Sequence, residues 1–108
     1  MKSETIKIIA KRVGEPLKEE YIDNELEALQ DFVGGYIEHV QLAPELGIIC
    51  NEEGLLYGLK FNFWTNGHAF FGDVLFVGSD YGEEEFTDCP FNAEELQDEI
   101  SIFGGSTR

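Results

Sequence analysis

The sequence is poor in positive charge. Its 108 residues hold 7 Lys and Arg against 22 Asp and Glu, a formal net charge of −15, and no base stands between Lys60 and Arg108. Such a chain repels phosphate backbones and acidic lipids, so direct binding to nucleic acid or to an anionic membrane is disfavoured. Cysteine is scarce as well: Cys50 and Cys89 are the only two. No two of His39, Cys50, His68 and Cys89 fall at the short spacing of a zinc-ligand pair, so neither a metal site nor a disulfide is expected. Acidic surroundings raise a thiol pKa, which disfavours Cys–His nucleophilic catalysis. No apolar run approaches the roughly 20 residues that span a bilayer. The first twelve residues, MKSETIKIIAKR, lack the apolar core and cleavage site of a secretory signal, so a cytoplasmic protein is expected. Repeats, low-complexity segments and interdomain linkers are also missing.

What is present suffices for one domain over residues 1–108, with 106–108 expected to fray. The apolar content is 43 %, and nine Phe, four Tyr and one Trp can fill a single core. Leu26, Leu29 and Val33 recur at helical spacing, with Ile22 one turn earlier and Glu27 and Asp31 on the opposite side. Asn24 followed by Glu27 reads as a capping box, and Gly34 as the left-handed stop. Around this helix, Thr5–Val13 reads as a first strand and Leu17–Asp23 as a charged connection. Strands are expected from Tyr36 and over Leu46–Cys50, separated by Pro44. Leu55 to Phe63 alternates like a half-buried strand, in a hairpin with the strand before it, and Trp64–His68 like a loop. Asp73–Gly78 is an apolar run short enough for an interior strand, and Ser79–Glu85 an acidic turn. Asn92 and Glu95 form a second capping box, opening a helix with Leu96, Ile100 and Phe103 inward and Gly104-Gly105 at its end. The expected fold is α+β, with a four- to five-stranded, mainly antiparallel sheet and two helices on one face.

Few residues suggest chemistry. Asp80 to Glu85 lacks the alternating ligands of a calcium loop, and Gly34-Gly35 follows a helix, whereas phosphate sites use a helix start. One segment is more particular than core filling requires: Phe61 to Gly72 mixes aromatics with Asn62, Trp64, Asn66 and His68, a combination able to stack on a base or sugar or to anchor a partner.

Several stretches resemble, in order, an uncharacterised family of small proteins carried by phages, plasmids and other mobile elements of bacteria. They are Leu26-Glu27-Ala28-Leu29-Gln30, Val33 to Glu38, Asn51-Glu52-Glu53-Gly54, Gly58-Leu59 through Asn62, and Gly72 to Gly78. Where that family usually carries a proline after the Gly-Leu pair, Lys60 stands here. The resemblance implies a mobile-element accessory role and names no catalytic residue or cofactor.

Two functions follow as expectations. In the first, a small acidic accessory protein binds a basic surface of a host protein, as a counter-defence inhibitor or nucleic-acid mimic. Its contact residues would be Glu83, Glu84, Glu85, Asp88, Glu94, Glu95, Asp98 and Glu99, which all lie in the base-free half. In the second, Asn62, Trp64, Asn66 and His68 sequester a small nucleotide-like ligand, against the net charge. Catalytic residues and cofactors are expected in neither, and an enzyme ranks third.

Overall fold

The computed structural model describes residues 4–65, 67–79 and 85–99. Among these residues two helices and seven strands follow in the order β1 (Thr5–Lys11), β2 (Lys18–Asp23), α1 (Leu26–Val33), β3 (Ile37–Ala43), β4 (Leu46–Asn51), β5 (Phe61–Thr65), β6 (His68–Phe71), β7 (Val74–Gly78) and α2 (Ala93–Glu99). Five strands form one sheet in the order β2-β1-β7-β4-β3, and β5 pairs with β6 apart from it. All pairings are antiparallel. The α+β architecture is the expected one, and β4 and β7, the two uninterrupted apolar runs, are buried at every position because neighbouring layers cover both faces of the sheet.

One face carries Ile6, Ile8, Ala10, Ile49, Leu75 and Val77, which pack against Leu29 and Val33 of α1. The other carries Ile9, Leu46, Ile48, Cys50, Val74 and Phe76, covered by Phe63 and Phe70 of the β5–β6 hairpin, by Cys89 and by Leu96 of α2. The helices therefore lie on opposite faces, which corrects the expectation of a single helical layer. Two separate apolar faces need two covers, and the hairpin supplies most of the second.

Other local readings are corrected too. Leu17–Asp23 is largely strand β2, paired along β1 from Thr5↔Asp23 to Ala10↔Lys18, and Ile22 belongs to it rather than to the helix. Its acids made it look like a connection, but an edge strand with alternating solvation tolerates charge. Asn24 does not cap α1: its amide donates to the Phe86 carbonyl at 2.8 Å, and the N-cap is Glu25, without a side-chain cap bond. The stop is as read. Gly34 sits at φ 81° with its N–H on the Gln30 carbonyl, and a Cβ on Gly35 would lie 2.8 Å from Asn51 Nδ2. Leu55 to Phe63 is not one strand: residues 52–58 form a turn with Leu55, Leu56 and Tyr57 exposed, and β5 begins only at Phe61. It pairs with β6, not β4, so Trp64 and His68 lie on strands rather than in a loop.

In the second half, residues 87–89 extend the sheet past the end of β7. Gly78 and Thr87 exchange backbone bonds, and Cys89 N–H reaches the Lys7 carbonyl at 2.8 Å. The capping box of α2 is formed as read: Glu95 N–H donates to Asn92 Oδ1 at 2.8 Å, and Asn92 N–H to Glu95 Oε1 at 2.9 Å. Phe91 packs against the same core as Leu96. Ile100, Phe103, the Gly104-Gly105 stop and the 106–108 tail lie outside the described residues.

Candidate functional site

The acids singled out in the sequence divide into two groups. Glu85 and Asp88 stand on the segment leading to α2, and Glu94, Glu95, Asp98 and Glu99 are on the helix; all six are exposed, while Glu83 and Glu84 lie outside the described residues. Glu85 and Asp88 line a groove of 290 Å³ together with Glu45, Gly78 and Ser79. Asp88 has a structural duty as well, since its Oδ1 accepts the Lys7 N–H at 2.8 Å.

Glu45 was not legible as part of this group. It occupies the Pro44-Glu45 turn between β3 and β4 and is the non-glycine residue with a positive φ, 69°, among the described residues. Gly or Asn takes that conformation at lower cost, so a carboxylate is held there against backbone preference. Its carbonyl ties the turn to Ser79, which also lines the groove, by accepting the Ser79 N–H at 3.2 Å. The position after Pro44 in a short hairpin, where Gly or Asn would be expected, is the signal that could have marked it.

Beside the groove, Ser79, His39 and Gln41 form a chain whose proton directions follow from one anchor. Gln41 Nε2 donates to the Ala43 and Ser79 carbonyls, at 2.9 and 2.8 Å, so its Oε1 is left as an acceptor. Ser79 Oγ donates to it at 2.9 Å, which leaves Ser79 to accept from His39 Nε2 at 3.1 Å. Desolvation holds His39 below its ordinary pKa, so the neutral Nε2–H tautomer serves. The imidazole thus gives a proton bond to the serine and does not withdraw its proton, the reverse of a nucleophile–base pair.

The second quartet is not assembled. Asn62 occupies a register shift between Phe61 and Phe63 and turns inward, where it is fully buried. Its Nδ2 donates to the Lys11 and Gly72 carbonyls, both at 2.8 Å, and its Oδ1 accepts Lys11 Nζ at 2.9 Å. Both N–H donors and one acceptor position of the fully buried amide are taken by protein, so the expected ligand contact is corrected to a structural one. Lys11, equally buried, also donates to the Arg12 carbonyl at 3.1 Å. Desolvation lowers its pKa, opposed by Asp73 and Glu15. Trp64 and His68 do face solvent on neighbouring strands, His68 stacking on Phe70 with ring centres 5.3 Å apart. Asn66 lies outside the described residues.

Cys50 and Cys89 are free and buried in the same core cluster. Desolvation, with Glu38 nearby, pushes the Cys50 thiol up to about 12, and desolvation raises Cys89 too. From the ordinary 9.0 to about 12, the thiolate fraction of Cys50 falls by on the order of 10³. Ellman's reagent at pH 8 should therefore react with native protein far more slowly than with protein in denaturant; two fast thiols in the native state would contradict the burial. Among the described residues no group of three or more His, Cys, Asp and Glu is placed to hold a metal ion, and no helix is long and apolar enough to cross a membrane.

A family described as a domain of unknown function (DUF3846) matches residues 6–101. No curated protein and no solved structure shows a detectable match.

Proposed function

The chain belongs to the DUF3846 family, and because that family carries no assigned activity, we propose from the surface itself that this protein is a small acidic module that docks on a basic protein surface. The observation that carries the reading is Glu45, an acid kept at a positive-φ position and lining one groove together with Glu85 and Asp88. Solubility alone explains acids anywhere on the surface; it does not explain one held where glycine suits the backbone better. The acids of α2 widen the same negative field, and the base-free second half leaves it uncompensated. The resemblance to small mobile-element proteins supports a partner in the cytoplasm of a bacterial host. A nucleic-acid-binding factor that takes this surface for a phosphate backbone is the counter-defence form of the reading. The small-ligand alternative is weakened, since Asn62 is spent on Lys11 and two carbonyls.

The test is capture of the partner from a bacterial lysate by the parent protein and by a variant carrying Glu94→Gln, Glu95→Gln, Asp98→Asn and Glu99→Gln. Gln at position 95 can still accept the Asn92 N–H, so the capping box and the fold should persist. Capture should fall sharply in this variant and be unchanged by Trp64→Ala. Loss of capture in Trp64→Ala, with the four amides harmless, would replace the acidic reading by the ligand one.

A further inference from the structure

At the opposite end of β4 from the acidic groove, the chain does something a soluble surface does not need. Leu55, Leu56 and Tyr57 stand in succession on the 52–58 turn with relative exposures of 70, 81 and 63 %, and Tyr36 beside them is exposed to 69 %. Single exposed apolar residues are ordinary, but three consecutive ones with a fourth alongside form a patch.

The turn that presents them is fastened from below. Asn51 is buried, with Nδ2 on the Val33 carbonyl at 3.1 Å and Oδ1 accepting Glu53 N–H at 2.8 Å. Backbone bonds from Tyr57 N–H to the Glu53 carbonyl and from Leu59 N–H to the Gly54 carbonyl, both 3.0 Å, close the loop on itself. Gly54 lies so close to β6 that a Cβ there would be 3.0 Å from the Phe71 carbonyl. Glu52 N–H on the Tyr36 carbonyl, at 2.8 Å, ties the loop to the start of β3. The apolar side chains are therefore held outward by an ordered scaffold, as an anchor for a partner requires.

Against the loop lies a hollow of 170 Å³ lined by Leu55, Ala69 and Phe71, by the acids Glu38 and Glu52, and by His68. Apolar side chains beside two carboxylates suit a long aliphatic stem with a cationic head, Arg or Lys. A second copy of this chain is a poor occupant, because docking two molecules of net charge −15 sets acid against acid. We propose that the Leu55–Tyr57 turn and the hollow against it are the anchor point for a basic segment of the partner protein. One Arg or Lys enters between Glu38 and Glu52, and an apolar neighbour packs on Leu56 and Tyr36. This rests on the reading of a basic partner and names how that partner is gripped.

Three synthetic peptides of equal length test it by titration into the ¹⁵N-labelled protein: alternating Arg-Leu, Arg alone, and Gln-Leu. The Arg-Leu peptide should shift the amides of Glu38, Leu55, Leu56, Tyr57 and Phe71, and should bind at least tenfold more weakly to a Leu55→Ser, Leu56→Ser variant. The Arg peptide should not distinguish parent from variant. Equal affinity of Arg-Leu for both proteins overturns the proposal, as do shifts confined to the acidic groove and α2, which would leave the acidic reading standing. Failure of both Arg peptides to bind sinks the two together. Should the double variant fail to fold, Leu56→Ser alone, at the most exposed position, makes the same comparison. Sedimentation of the protein without peptide closes the remaining route: a dimer dissolved by Leu56→Ser would make the occupant a second copy and overturn the basic-segment proposal.

Discussion

Asn62→Ala is expected to destabilise the protein by about 3 to 5 kcal/mol, because it removes one of the two acceptors of a buried ammonium and takes a donor from each of two carbonyls in one buried spot. Lys11 Nζ would keep the Arg12 carbonyl, and the Lys11 and Gly72 carbonyls would each lose the donor that Asn62 supplies. The pH dependence has a definite sign. Lys11 has its folded pKa lowered by desolvation, so between that value and the ordinary 10.5 the unfolded chain binds more protons than the folded one. Its contribution to stability is full above 10.5 and is lost as pH falls through the folded value. Removing Asn62 lowers that folded value further, so the penalty should be larger at pH 7 than at pH 10. Urea midpoints of parent and variant at the two pH values measure this. A penalty below about 1 kcal/mol, or one that grows with pH, would mean that the amide does not hold the buried charge.

Leu29→Ala should cost about 2 to 5 kcal/mol, a large part of the 5 to 15 kcal/mol typical of a domain. Leu29 is 3 % exposed and lies with Val33 against Ile8, Ile49, Leu75 and Val77, so its truncation opens a cavity between helix and sheet. Glu27, on the exposed side, should tolerate Ala with little change. Similar melting midpoints for Leu29→Ala and Glu27→Ala would place the helix somewhere other than on that face.

What the sequence revealed depended on whether the deciding contact was local. The Gly34 stop, the Asn92–Glu95 box and the interior strand Val74–Gly78 all rest on spacing within a few residues, and all three formed. The cap at Asn24 did not, because a carbonyl 62 residues away, that of Phe86, claimed its side chain. Leu55 to Phe63 alternates as a strand should, yet Gly58 at φ 73° and the fastening of the loop by Asn51 turn it into a projecting apolar turn. Periodicity reports which residues can share a face, not whether a neighbouring strand is there to cover it. The site shows the same division. The acids of α2 were visible as a run, whereas Glu45 enters the groove only through the topology that brings the β3–β4 turn beside residues 85–88. Lys11 and Asn62, 51 residues apart, gave no sign of one another.

The central claim is that the negative field of this surface draws in a basic partner, and the association rate with the purified captured partner tests it most directly. Between about 50 and 200 mM salt the Debye length shortens from roughly 14 to 7 Å, so attraction between exposed charges should weaken and the rate should fall at least tenfold. With Glu94, Glu95, Asp98 and Glu99 as amides, net charge drops from −15 to −11, and both the low-salt rate and its salt dependence should be reduced. A rate that is the same at both salt concentrations and unaltered in the amide variant would contradict the claim.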